Sequence, residues 1–216
     1  IAKQPDEEKW VQLDLGRSVP VAEVRLRPAH DDFAGIGAGF GFPVRYRVEV
    51  SDDAEFKTGV TLLRDASDLD QANPRTAPVS IAAEGRPFRF LRLTATKLAE
   101  RKDDYILALA EIEARGAADA ANLAIMATVS AKDSIESGER WRKRNLVDGI
   151  YHRELSDDKA LAELHALQAE RRGIEESLRS PENEERIEAI GKELAPLEEQ
   201  LKAIPQGELV YAAATQ

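Results

Sequence analysis

The sequence contains no cysteine, which excludes disulfides, thiolate metal sites and a cysteine nucleophile while leaving the redox compartment open. It also lacks any run of 18 or more apolar residues, so no stretch reads as a membrane-spanning helix. Histidine is scarce: His30, His152 and His165 are the only three, and they share no metal-ligand spacing. Basic residues are outnumbered, thirty against forty acidic, giving a formal net charge of −10. That balance argues against a nucleic-acid module, which needs a concentrated basic face to displace counterions. The local cluster Arg140, Arg142, Lys143 and Arg144 reads as a solvated loop, with Trp141 its only aromatic neighbour. Paired carboxylates such as Asp31-Asp32 and Asp103-Asp104 are expected among forty acidic side chains and do not by themselves mark an acid and a base. No enzyme active site is expected. The chain opens on Ile1 and trails off over Tyr211 to Gln216, and reads as a segment of a longer protein.

What is present divides into two periodicities. Apolar and polar residues alternate strictly from Val44 to Ser51, the pattern of a strand with one buried face. Val11, Leu13 and Leu15 share a face, as do Val24 and Leu26; Leu91, Leu93 and Ala95 do the same, and Ile112 anchors a short run over 110–114. Turn signals separate these runs: Gly16, Pro20, Pro28, Ser51-Asp52-Asp53, Asn73-Pro74 and Gly85-Arg86-Pro87. Most gaps are too short for a crossover helix, so an antiparallel β-sandwich is predicted.

The period then changes to 3.6. Ala160, Leu164, Leu167, Ile174 and Leu178 form one stripe, interrupted by Arg171, and Ile187, Ile190, Leu194, Leu197, Leu201 and Ile204 form another. Two amphipathic helices are predicted, joined at Ser180-Pro181 and packed as an antiparallel, coiled-coil-like hairpin over 151–205. Pro196 falls inside the second and should bend it. Residues 155–204 hold thirteen acidic and seven basic side chains, a net of −6. Residues 206–216 read as a tail leading to the next domain.

Five blocks resemble the F5/8 type C, or discoidin-like, domain of the galactose-binding-like fold. They are Trp10 to Gly16, Val21 to Leu26, Tyr46 to Asp53 with Phe56, Phe90 to Leu93, and Leu109 to Glu113, in the family's order. The resemblance implies a jelly-roll sandwich over residues 1–150. Members open with an Asn-x-Ala strand and reach an Asp-Gly turn before the tryptophan block, whereas here Asn122-Leu123-Ala124 and Asp148-Gly149 come last. Either a second unit begins at Asn122, or the sandwich is circularly permuted and 122–149 returns to complete it. The helices that follow leave no room for a second unit's strands, which favours permutation. The whole arrangement also resembles the middle region of large planctomycete proteins with cytochrome c-like domains, implying an extracytoplasmic, envelope-associated parent.

In discoidin-like folds loops at one end of the sandwich form the ligand face. That places His30, Asp31, Asp32 and Phe33 in a candidate glycan-binding loop, against a reading as a charged turn with one buried phenylalanine. The glycine-rich run Ala34 to Gly41 precedes Phe42-Pro43 and a strand, so it lacks the helix a phosphate-cradling turn requires. Phe40 or Phe42 is expected to plug the sandwich edge, with Phe40 a candidate ligand contact. Trp141 is either an anchor of the returned segment or a ligand contact. The family's structural Ca²⁺ site would fall on Glu111 and Asp148, completed by backbone carbonyls. Two roles follow: a non-catalytic module positioning neighbouring domains of the parent, or a carbohydrate-binding module. Membership of an enzyme whose active site lies in other domains is a third. The helical arm, which sugar binding does not need, favours the positioning role.

Overall fold

The computed structural model describes residues 1–30, 37–138, 140–152, 158–178 and 181–203. Two compact units divide the chain, residues 1–153 and 154–216.

The first unit is a mainly-β antiparallel sandwich organised by two 19-residue strands, β1 (Lys9–Arg27) and β4 (Val79–Lys97). They pair along nearly their whole length, from Lys9 opposite Ala95 to Leu26 opposite Val79. The register breaks where four residues of β1, 15–18, face only Arg89. Such a bulge bends a strand pair and sharpens its twist. Gly16 takes a left-handed conformation there (φ 79°), open to glycine because it has no Cβ. Arg89 grips Asp14 at the same bend with two hydrogen bonds of 2.7 and 2.8 Å.

Each side of the bend has its own neighbours. The first half of β1 pairs with β8 (Thr128–Ala131), and the matching half of β4 pairs with β2 (Arg45–Ser51), which carries β3 (Thr61–Ala66) at its edge. The second half of β1 pairs with β7 (Glu111–Gly116). Two long strands thus belong to both layers, and one core fills the space between. Val11, Leu13, Val48, Val50, Leu91 and Leu93 enter it from one layer, and Val24, Leu26, Ile81, Ile112 and Ala114 from the other. Ala124 and Val147 lie in the same core. A separate pair, β5 (Ala99–Glu100) and β6 (Tyr105–Ile106), caps one end beside Ala2 and Leu98.

Gly85-Arg86-Pro87, expected as a turn, lies inside β4. Pro87 stands opposite Pro20, whose carbonyl points away from β4 and accepts the Ala117 N–H at 3.2 Å. A residue's two backbone groups point the same way in a strand, so this is a non-hydrogen-bonded pair and neither proline removes a bond between β1 and β4.

The second unit contains α1 (Asp158–Leu178) and α2 (Pro181–Ala203), the latter continuing through Pro196. Leu167 and Ile174 on α1, and Ile190, Leu194 and Leu197 on α2, are each more than half exposed. At these side chains the stripe expected to close between the helices is open to solvent; it is narrow and broken by Arg171. Among the described residues no helix is long and apolar enough to cross a membrane.

Candidate functional site

A cleft of about 390 Å³ opens in the sandwich unit. It is walled by the first residues of β1, Lys9 to Val11, by Ala29 and His30, by residues 105–110, and by side chains from residues 131–152. Apart from β1 these stretches are largely irregular, and each is fixed by a few specific bonds.

Tyr105 is held by Ala2 through paired backbone bonds of 2.8 and 3.0 Å. Ala108 donates its N–H to the Gly41 carbonyl at 2.8 Å. Gly41 has φ 66° and lies so close to this wall that a Cβ would stand 2.7 Å from the Ala108 Cβ. The glycine-rich run thus lets the chain press against the cleft wall rather than cradle a phosphate.

Residues 134–143 form a small hairpin. Ser137 and Trp141 exchange backbone bonds of 2.9 and 3.3 Å. Glu136 accepts the Lys143 N–H at 3.1 Å and its ammonium at 3.2 Å. Hydrogen bonding from the Ser134 hydroxyl and then from the Lys143 N–H holds the Glu136 carboxyl down to about 2. This carboxylate ties together the loop that carries Arg140, Trp141 and Arg142. The 3₁₀ turn Lys143–Val147 follows, anchored by buried Val147.

The stretch after it is clamped onto β1 and β7. Glu111 accepts the Gly149 N–H through both carboxylate oxygens, at 3.2 and 3.1 Å. The Arg27 guanidinium lies 3.9 Å over the Tyr151 ring, and His152 meets His30 edge-on at 4.0 Å.

Of the residues expected in the ligand site, His30 and Trp141 line the cleft, and Phe40 packs edge-on against Trp141 with ring centroids 6.1 Å apart. Trp141 lines the cleft with its backbone bonded to Ser137 and its ring against Phe40. Phe42 is the buried plug, meeting Tyr46 at 5.8 Å. Asp31, Asp32 and Phe33 lie outside the described residues. Tyr105, Asn145, Tyr151 and His152 were not expected, and the basic cluster read as a solvated loop contributes Arg140, Arg142 and Lys143 to the lining. Tyr105 and Tyr151 sit in stretches with no periodicity, so no local signal marks them. His30 and His152, unconnected by spacing, meet only through the fold.

Glu111 is fully buried on β7. Burial pushes its carboxyl up to about 7, with Asp148 and Glu113 adding in the same direction and the Gly149 N–H and Arg27 opposing them. A buried, disfavoured carboxylate with a second carboxylate near it suits a cation. The side chains supply only two donors, and Asp148 already accepts the Ile150 N–H at 2.8 Å. Calcium takes six to eight oxygens, so backbone carbonyls would have to furnish most of them. Among the described residues no three His, Asp or Glu side chains gather as a metal set.

No family model matches the sequence, and no curated protein is similar to it. Solved structures are. A chitosan-binding module from a chitosanase/glucanase of Paenibacillus sp. IK-5 is 19% identical with a TM-score of 0.39, over 53% of this chain and 73% of that one. The C-terminal domain of a chitobiase from Bacteroides fragilis is 16% identical with a TM-score of 0.35, over 57% and 65%. The lectin domain of lectinolysin, solved with Lewis B antigen, is 19% identical with a TM-score of 0.35, over 53% and 70%.

Proposed function

We propose that the sandwich unit is a non-catalytic glycan-binding module and that the cleft is its ligand site. The observation that carries this reading is the meeting of Trp141 and Tyr105 with His30, Asn145 and Arg142 in one cleft of about 390 Å³. A sugar ring presents an apolar C–H face and a rim of hydroxyls. An aromatic surface takes the first, and a few convergent donors and acceptors take the second. The resemblance of residues 10–113 to discoidin-like domains supports the same role.

The test is a glycan array on the full chain followed by calorimetry with the captured oligosaccharide. Binding is expected, with Trp141→Ala weakening it at least about tenfold, the equivalent of ~1.4 kcal/mol of lost contact. Absence of binding to any oligosaccharide at millimolar concentration would count against the reading.

A second role, positioning neighbouring domains of the parent, is supported by the exposed apolar side chains of α1 and α2. The two roles separate experimentally, because a chain ending at residue 153 should keep the first and lose the second.

A further inference from the structure

Away from the cleft, a notch of about 310 Å³ opens where β2 and β4 separate. The last partner of β2 on β4 is Phe90, while the bend of β4 at Phe88, Pro87 and Arg86 stays paired to β1. Buried Val50 and Phe88 line the notch together with Asp52, Thr58, Arg86 and Pro87.

One wall is the loop over residues 51–59, and Asp53 folds it. Its carboxylate accepts the N–H groups of Glu55, Lys57 and Thr58, each at 3.0 Å. These bonds, that from Glu55 foremost, hold the carboxyl below its ordinary range. The Ser51 hydroxyl accepts the Asp53 N–H at 2.9 Å and donates to the Thr58 carbonyl at 2.8 Å. A wall fixed before a ligand arrives costs little ordering entropy on binding.

Other groups in the notch remain open. Among the described residues, the exposed guanidinium of Arg86 has no hydrogen-bond or ion-pair partner. Asp52 accepts a hydrogen bond from the Ser18 hydroxyl at 3.3 Å and pairs with no cation among the described residues. Pro87 and Pro20 form a non-hydrogen-bonded pair, so the Pro87 carbonyl points away from β1, to the side of β4 that β2 has left. Opposite charges thus share one notch without pairing to each other. A lone anion there would meet Arg86 but also the carboxylates of Asp52 and Asp53, and a lone cation would meet the reverse. A ligand carrying both charges satisfies both. The guanidinium fork matches the two oxygens of a carboxylate, and an ammonium brings three donors to carboxylate and carbonyl acceptors.

We infer that the notch binds a small amino-acid zwitterion, its carboxylate on Arg86 and its ammonium on Asp52 and the Pro87 carbonyl. The site is separate from the cleft and does not rest on the glycan-binding reading.

The test is an NMR titration of the isotope-labelled full chain with glycine, β-alanine and γ-aminobutyrate, against N-acetylglycine and glycinamide as single-charge controls. At least one zwitterion should shift the N–H signals of Thr58, Gly59 and Thr61 and bind about ten times or more tighter than either control. The length of the zwitterion that binds best then measures the span between the guanidinium and the carboxylate. Arg86→Gln and Asp52→Asn should each remove most of that advantage while keeping the wild-type melting temperature, since both side chains are exposed. No shift with any zwitterion at millimolar concentration, equal affinity for the controls, or unaffected variants would overturn the inference. Shifts confined to the cleft, at Trp141 and Asn145, would overturn it as well.

Discussion

At the scale of single residues, β7 concentrates the most costly chemistry. Glu111 and Glu113 are both fully buried on it, and a carboxylate removed from water must find compensation. Glu113 finds it in Arg27. Glu111 has the Gly149 and Asn122 donors, the latter at 3.5 Å, and burial still pushes it up to about 7. A carboxyl raised in the folded state binds its proton more tightly there than in the unfolded chain, where 4.5 is the ordinary value. Its stabilising effect is therefore complete below pH 4.5 and is lost as the pH rises through 7. At ~1.4 kcal/mol per unit the loss is about 3 kcal/mol. In EDTA-treated protein, urea midpoints measured from pH 5 to 8 should fall accordingly, and Glu111→Gln should flatten the curve because the amide keeps an acceptor for Gly149 without the charge. A calcium ion at Glu111 and Asp148 would reverse the penalty by giving the ionised form a partner. Millimolar Ca²⁺ should then raise the wild-type melting temperature at pH 8 and leave Glu111→Gln unmoved; no response in the wild type would remove the ion from this site.

At the scale of elements, strict alternation was enough to find the β framework. The alternating run Val44 to Ser51 holds β2 (Arg45–Ser51), with Tyr46, Val48 and Val50 buried, and Leu91, Leu93 and Ala95 are all buried on β4. What alternation could not show was continuity. Gly16, Pro20 and Gly85-Arg86-Pro87 look like punctuation, but they mark a bend inside two long strands because the prolines face each other where no ladder bond is needed. β3 escaped notice because Leu62 is half exposed and only Ala66 is fully buried along it. The cleft was legible only in part, at His30 and Trp141, since its walls are joined by contacts far apart in sequence. The segment 122–149 shows what such contacts contribute. β8 pairs with β1 from Val11 to Asp14, Asn122 bridges to Arg115, and Ala124 and Val147 reach the core. A chain ending at Gly116 would leave the edge of β1 unpaired and those positions vacant. It should melt at least about 10 °C lower than the chain ending at residue 153, roughly 3 kcal/mol at ~2–4 °C per kcal/mol for domains of this size. Equal melting temperatures would show that the segment completes nothing.

At the scale of the whole molecule, the two units differ in kind. Every member of both buried clusters lies within residues 2–147, so the sandwich has a core of its own, which is the usual requirement for independent folding. The helical unit carries −6 over residues 155–204 and shows half-exposed leucine and isoleucine on both described helices. Helices of this length draw most of their stability from packing rather than propensity. The two units should therefore unfold separately. Circular dichroism of the full chain is expected to show a broad loss of helical signal at low temperature and a sharper β transition above it, violating two-state behaviour for the chain as a whole. Removing residues 154–216 should abolish the first transition, move the second by no more than about 3 °C, roughly 1 kcal/mol, and leave sugar affinity in the cleft unchanged. A fall of about 10 °C or more would mean that the helices contribute to the stability of the sandwich. A loss of sugar binding without such a fall would assign them to the ligand site, and the positioning role would lose its independent support.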